Sequence, residues 1–230
     1  SENMKLLLTS GGLTNKSISS ALFDLVDKKP ENISLVFIPT ASNVEMGDKD
    51  WFIDDLINLK KQGFKSIDIA DISAVPEEVW KPKFNEADIL FFEGGNTYHL
   101  MEWINKSGLV KLLPEYLKTK IWVGVSAGSM VTNSDLALKI SQALYEEDLD
   151  KMGDMPGLNY VDFYFIPHLN SPYFPKLIEE NIKKLAKRIS KKIYALDDQS
   201  ALKVVDGKVE AVSEGKWFVI EGKSGNNLVE

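Results

Sequence analysis

The sequence predicts an α/β protein: a three-layer domain with a mostly parallel sheet and helices on both faces. Three observations predict it. Short apolar runs alternate with amphipathic segments along the chain, the pattern of successive βαβ units. The run Ile121-Trp122-Val123-Gly124-Val125 leads straight into Ser126-Ala127-Gly128, a strand passing through a tight turn into a helix. The 230 residues, 44% hydrophobic and 27% charged, suit one domain with a core on each face of its sheet. With no internal repeat, low-complexity stretch or Pro/Gly-rich linker, residues 4–230 read as a single domain. Ser1-Glu2-Asn3 before Met4 reads as a cloning remnant, with Met4 as the natural start.

The elements follow in order. A strand at 5–9 ends in Ser10-Gly11-Gly12, and an amphipathic helix at 17–28 precedes a second strand at 33–39. A helix at 50–62 leads to a strand at 66–69, and a buried strand at 89–92 ends in Gly94-Gly95-Asn96-Thr97. Helices at 97–105 and 109–118 carry the chain to the strand at 121–125. A strand at 163–167 is followed by a helix at 175–190, where Leu177, Ile178, Ile182, Leu185, Ala186 and Ile189 recur at three- and four-residue steps. A last parallel strand is expected at 193–196. Residues 201–205 and 208–212 then flank Asp206-Gly207, the strongest short hairpin signal, and short strands around 217–220 extend this antiparallel patch. The segment 139–156 is acidic (Glu146, Glu147, Asp148, Asp150, Asp154) and fits no element; it reads equally as a lid or specificity loop and as a solvated excursion.

Composition removes several classes of function. A net charge of -7 argues against nucleic acid or an anionic membrane as partner, since both need a basic face. Without cysteine the chain can form no disulfide, thiolate zinc site or cysteine nucleophile. No apolar run reaches membrane-spanning length and no signal peptide precedes the first strand, so the chain reads as cytoplasmic.

The chemistry centres on Gly124-Val125-Ser126-Ala127-Gly128, the Gly-x-Ser-x-Gly form of a nucleophile elbow. The two glycines permit a turn that a Cβ would block, and the helix behind Ser126 points free N–H groups at it. Alone, the pentapeptide is equally compatible with an ordinary strand and a small-residue helix start. A serine nucleophile needs a base, and the chain has two histidines. His168 stands just past a strand end, on the sheet edge where open α/β proteins bind ligands, and is preferred. His99, at the start of a helix, could border the site but is better read as a surface or half-buried helical histidine. Asp197 and Asp198 follow the strand at 193–196; one is expected to orient the imidazole while the other caps a turn. Gly94, Gly95 and Asn96, with Ala127 after the serine, form the expected oxyanion and substrate-binding set, with Gly95 and Ala127 N–H as donors. Read alone, Gly-Gly-Asn-Thr is only a turn and a helix cap. The order Ser126, His168, Asp198 differs from the Ser-acid-His order of α/β-hydrolases, so the elbow is shared but the architecture is not.

Taken together, these blocks resemble the aspartyl dipeptidase (peptidase E) family of serine peptidases, which also includes cyanophycinase. The resemblance rests on Leu7-Leu8-Thr9-Ser10-Gly11-Gly12, Phe37-Ile38-Pro39-Thr40-Ala41-Ser42, Gly94-Gly95-Asn96-Thr97, Gly124 through Ser129, Pro167-His168 and Leu196-Asp197-Asp198-Gln199-Ser200-Ala201-Leu202. It implies a flavodoxin-like fold similar to class I glutamine amidotransferases. It also implies Ser126 as nucleophile, His168 as base, Asp198 as third member, and Gly95 and Ala127 as oxyanion donors. Two positions depart from the pattern. The founding dipeptidases carry glutamate where Asp198 stands. A cation for an aspartyl substrate would be expected after the histidine, where this chain has Lys176 and, further on, its one arginine, Arg188.

The expectation is therefore a serine hydrolase cleaving short peptides in the manner of a dipeptidase, including the option of an N-terminal aspartate, without metal or organic cofactor. Two alternatives share the same residues: a non-catalytic binder of a small metabolite, and an amidase or esterase on a non-peptide substrate. Oligomeric state is left open.

Overall fold

The computed structural model describes residues 3–136, 140, 143–145 and 155–223. Its main sheet has seven strands: β1 (Lys5–Thr9), β2 (Ser34–Ile38), β3 (Ser66–Ile69), β4 (Ile89–Phe92), β5 (Ile121–Val125), β8 (Ser200–Val205) and β9 (Lys208–Ser213). Their spatial order is β3-β2-β4-β5-β1-β8-β9. The first five are parallel; β8 runs antiparallel to β1 and β9 antiparallel to β8. Asp206 and Gly207, both at positive φ, turn the β8–β9 hairpin as the Asp-Gly pair requires.

Alternating side chains of these strands serve two cores, which is why their sequences read as nearly continuous apolar runs. On one face Leu7, Phe37, Phe91 and Val123 meet Ile18, Leu22 and Leu25 of α1 (Lys16–Val26) and Leu59 of α2 (Asp50–Lys60). On the other, Leu8, Ile38, Phe92 and Trp122 meet α3 (Glu77–Glu86), α4 (Thr97–Lys106) and α5 (Leu109–Tyr116) through Trp80, Phe84, Leu100, Ile104 and Leu113. Helix α3, with Pro82 inside it, has no counterpart in the sequence reading. Proline deprives an interior turn of one hydrogen bond, and here burial of Trp80 and Phe84, four residues apart, outweighs that loss.

The remaining strands form a second sheet, β10-β7-β6, from β6 (Tyr164–Ile166), β7 (Ile193–Leu196) and β10 (Trp217–Ile220). The fold class is as expected, but two placements differ. β6 and β7 pair in parallel with each other rather than joining the main sheet, and β10 pairs antiparallel with β7 rather than extending the hairpin. The reason is competition for an edge: β8 occupies the side of β1 that a further parallel strand would need. Helix α7 (Glu179–Ala186) is shorter than 175–190. Residues before it are spent on turns, with Leu177 N–H donating to Phe174 O and Asn170 N–H to Leu177 O. A third core lies beneath, where Ile166, Leu169, Leu177, Ile182 and Ile193 meet Ile140 and Leu144. The acidic side chains of the 139–156 segment lie outside the described residues. Among the described residues, no helix is long and apolar enough to cross a membrane.

Candidate active site

The carboxyl ends of β1, β4 and β5 converge at one rim, and the turn after β5 carries Ser126. Its backbone sits at φ 53°, ψ -104°, a sparsely populated region for a residue with a side chain. Such a conformation costs of order 1–3 kcal/mol and persists only where its surroundings fix it. Those surroundings are contacts no bulkier sequence would allow. A Cβ on Gly124 would lie 2.4 Å from Gly128 C and O, and one on Gly128 would lie 2.0 Å from Phe92 O. Ser126 N–H donates to Thr9 O (3.0 Å), Ser129 Oγ donates to the same carbonyl (2.9 Å), and Trp122 Nε1 donates to Gly128 O (3.0 Å). Ala127 opens α6 (Ala127–Met130), so its N–H belongs to the first turn, where helices leave donors without internal acceptors.

His168 arrives from the second sheet. The pairing of β6 with β7 continues through Leu169 N–H to Leu196 O, and His168 itself adopts φ 68°. This turns its ring back over the rim: Ser126 Oγ lies 2.9 Å from Nε2, and Nδ1 lies 2.7 Å from Asp198 Oδ1. For Nε2 to accept the serine proton, Nδ1 must carry hydrogen, and the Asp198 carboxylate holds that tautomer. Burial would raise the Asp198 pKa. Hydrogen bonds from His168 and Ser10 and the charge on the imidazole outweigh it, keeping the carboxyl below its ordinary value. The shorter acid reaches because its backbone is drawn onto the loop after β1, where Thr14 Oγ1 donates to Asp198 O (2.7 Å). Asp197 turns the other way and accepts from Lys216 N, Gln199 N and Ser200 Oγ, capping the turn.

The sequence reading missed two residues at this site. Ser10, fully buried, donates to Asp198 Oδ1 (2.8 Å) and accepts from His168 N–H (2.8 Å), bridging two distant segments. Phe174 stacks on the imidazole with centroids 4.5 Å apart and planes at 7°. Behind it Tyr145 packs edge-on at 5.8 Å and donates its hydroxyl to Pro167 O (2.9 Å). Position after β1 was a signal for Ser10; nothing local marked Phe174.

Of the glycine turn, Gly94 lies against the serine: a Cβ there would be 3.4 Å from Ser126 Cβ. Its N–H donates to Glu93 Oε1 (2.7 Å) rather than facing the rim. Gly95, at φ 137°, presses on Ala41 so closely that a Cβ would lie 2.3 Å from its carbonyl. Asn96 caps α4 by accepting from His99 N–H (2.9 Å). His99 is half-buried beside Trp103, 6.5 Å between centroids. Lys176 and Arg188 are both exposed, Arg188 just past the end of α7. Among the described residues, no cluster of three His, Asp or Glu has the arrangement of a metal site.

A hydroxyl, an imidazole and a carboxylate in hydrogen-bonded series at a strand-to-helix turn can pass a proton from the first to the second while the third balances the charge. Fold and site together define a serine hydrolase on an α/β scaffold. The particular family follows from comparison: residues 6–212 match the model of peptidase family S51, and the chain belongs to that family, making it a serine-type peptidase. An uncharacterized peptidase of Pasteurella multocida is 32% identical over 148 residues, 62% of this chain and 69% of its own. Peptidase E of Shewanella oneidensis is 30% identical over 106 residues, 46% of this chain and 42% of its own. A crystal structure of a candidate peptidase E from Listeria monocytogenes, 24% identical, superposes with TM-score 0.75 over 92% of this chain and 99% of that one.

Proposed function

We propose that this serine peptidase hydrolyses short peptides through Ser126, His168 and Asp198. The observation that carries the reading is the unbroken series from Ser126 Oγ through the imidazole to Asp198 Oδ1, at 2.9 and 2.7 Å. Ser126 Oγ bonds to the scissile carbonyl carbon as its proton passes to His168 Nε2, and the carbonyl oxygen becomes an oxyanion facing the N–H groups of Gly95 and Ala127. Nε2 then protonates the leaving amine, the C–N bond breaks and an acyl-serine remains. Water gives a proton to Nε2 and its oxygen attacks the acyl carbon; the proton returns to Ser126 as the acid leaves. Asp198 stays ionised throughout, as its depressed pKa favours. Gly94 supplies space beside the nucleophile, and Asn96 holds the start of α4.

Two features bear on the substrate. Phe174 covers the His168 ring face and the Gly94-Gly95 turn lies beside Ser126, bulk that favours a short chain. An N-terminal aspartate preference would need a cation near the acyl side, and Lys176 is the one closest to His168 in the sequence. The test is a dipeptide library assayed with wild type and Ser126→Ala, alongside labelling by a fluorophosphonate. Ser126→Ala should abolish labelling and lower turnover by about a thousandfold or more, with His168→Ala similar and His99→Ala near wild type. Wild-type turnover in Ser126→Ala would refute the assignment.

A further inference from the structure

Glu93 takes no part in the steps above, yet it is a charged residue type at 0% exposure, one residue from the glycine turn. It ends a strand of wholly buried apolar residues, and its N–H continues the sheet by donating to Ile38 O (3.1 Å). One carboxyl oxygen, Oε1, accepts from Gly94 N–H (2.7 Å). The other, Oε2, is sealed from water and meets no N–H or hydroxyl donor. The neighbouring group is the carboxyl of Asp55, half-buried on α2. Two carboxyls so placed need a proton between them. Burial and the neighbouring Asp55 charge hold Glu93 well above the usual carboxylate range, so it stays protonated beside Asp55.

This pair governs a turn that has little else to hold it. Gly94 and Gly95 carry no side chains, and two glycines in succession give the backbone wide freedom. The far end of the turn is fixed, since Gly95 presses on Ala41 and Asn96 N–H donates to Ala41 O (2.9 Å). The near end, at the Gly94 amide, is held by the Glu93 carboxyl. The peptide unit between those two points carries the Gly95 N–H.

We propose that Glu93, buried beside Asp55, is a positioning residue that fixes the Gly94 amide through its carboxyl and so aims the Gly95 N–H at the substrate's carbonyl oxygen. This rests on the reading of Ser126 as nucleophile. Loss of an oxyanion donor costs about 10²–10³ in turnover, so a donor left mobile should cost about 10–100-fold.

The experiment compares Glu93→Gln with Glu93→Leu in the full-length protein, using p-nitrophenyl acetate hydrolysis for kcat and KM and fluorophosphonate labelling rate as a second readout. Glutamine keeps an acceptor for Gly94 and a donor for Asp55, so its kcat should stay within about threefold of wild type; leucine keeps the bulk only and should lose about 10–100-fold in kcat with little change in KM. Asp55→Ala, at a half-exposed position, takes away the carboxyl beside Glu93 and should lose several-fold in kcat; it serves where Glu93→Leu does not fold. Glutamine as inactive as leucine would overturn the proposal, because an ionised carboxylate would then be what matters. Wild-type kcat in Glu93→Leu or Asp55→Ala, or a loss confined to KM, would overturn it as well. If wild type itself neither hydrolyses the ester nor labels at Ser126, the nucleophile reading has failed and the positioning role falls with it.

Discussion

The two walls of the site are built differently. The wall carrying Ser126 belongs to the main sheet, and backbone contacts hold it: Gly124 against Gly128, Gly128 against Phe92, Ser126 N–H on Thr9 O. The wall carrying His168 belongs to the three-stranded sheet, and side chains hold it: Ser10 below, Asp198 behind, Phe174 on the ring face. Backbone packing tolerates no added atom, whereas a side-chain network can be weakened one bond at a time. The comparison teaches that the placement of Ser126, the proposed nucleophile, is a property of the fold, while the placement of His168, the proposed base, is a property of a few replaceable residues.

Single substitutions on the histidine wall should therefore grade activity without unfolding the protein. The largest effect is expected for Asp198→Asn, which removes the charge that would stabilise the imidazolium and adds an amide N–H that can donate to Nδ1 and select the wrong tautomer; kcat should fall by about 10⁴, measured on any peptide the wild type cleaves. Ser10→Ala leaves His168 N–H and Asp198 Oδ1 each one partner short, and about a tenfold loss in kcat/KM should follow with the fold intact by circular dichroism. Phe174→Leu keeps bulk but removes the flat surface against the imidazole, for a loss of about threefold. If Ser10→Ala or Phe174→Leu instead unfolded the protein, the distinction between the walls would break.

The walls also differ in the sign of their acid titration, which gives the smallest but sharpest test. Asp55, beside the main sheet, is pushed up to about 7, chiefly by burial. A carboxyl whose folded pKa is raised contributes stability that is present below its unfolded value and lost as the pH rises through about 7. Asp198 is depressed, so its contribution is present above the ordinary carboxylate range and lost as the pH falls through its folded value. Thermal unfolding followed from about pH 2 to 8 should show Asp55→Asn flattening the decline on the alkaline side. Asp198→Asn should blunt the acid-side loss. The same slope in wild type and Asp55→Asn would remove the carboxyl pair from the energetics.

Most of the main sheet was legible in the sequence because its strands are short apolar runs closed by glycine or polar residues; β1, β3, β4 and β5 fall on the expected residues. The elbow was legible for the same local reason. What could not be read depends on which segments meet. An apolar run at 163–167 or 193–196 does not say which strand it will pair with, and that choice was decided by β8 taking the edge of β1. Ser10 and His168 are 158 residues apart, and no spacing rule links them. Glu93 reads locally as a polar strand end, and only the approach of α2 gives its carboxyl a partner. Helix α3 was not read from the sequence: its polar first turn and Pro82 weaken the local pattern, and burial of Trp80 and Phe84 in the core is what holds it.

The torsion angles at Ser126 have a consequence for the life of the chain before it is finished. No extended or helical segment holds them, so the hydroxyl of a nascent or partly assembled chain is an ordinary alcohol. On the proposed role of Ser126, reactivity is acquired only as β4 and β5 close on the elbow and the later-synthesised imidazole docks. Competence would then arrive with the finished fold rather than with the synthesis of the serine itself.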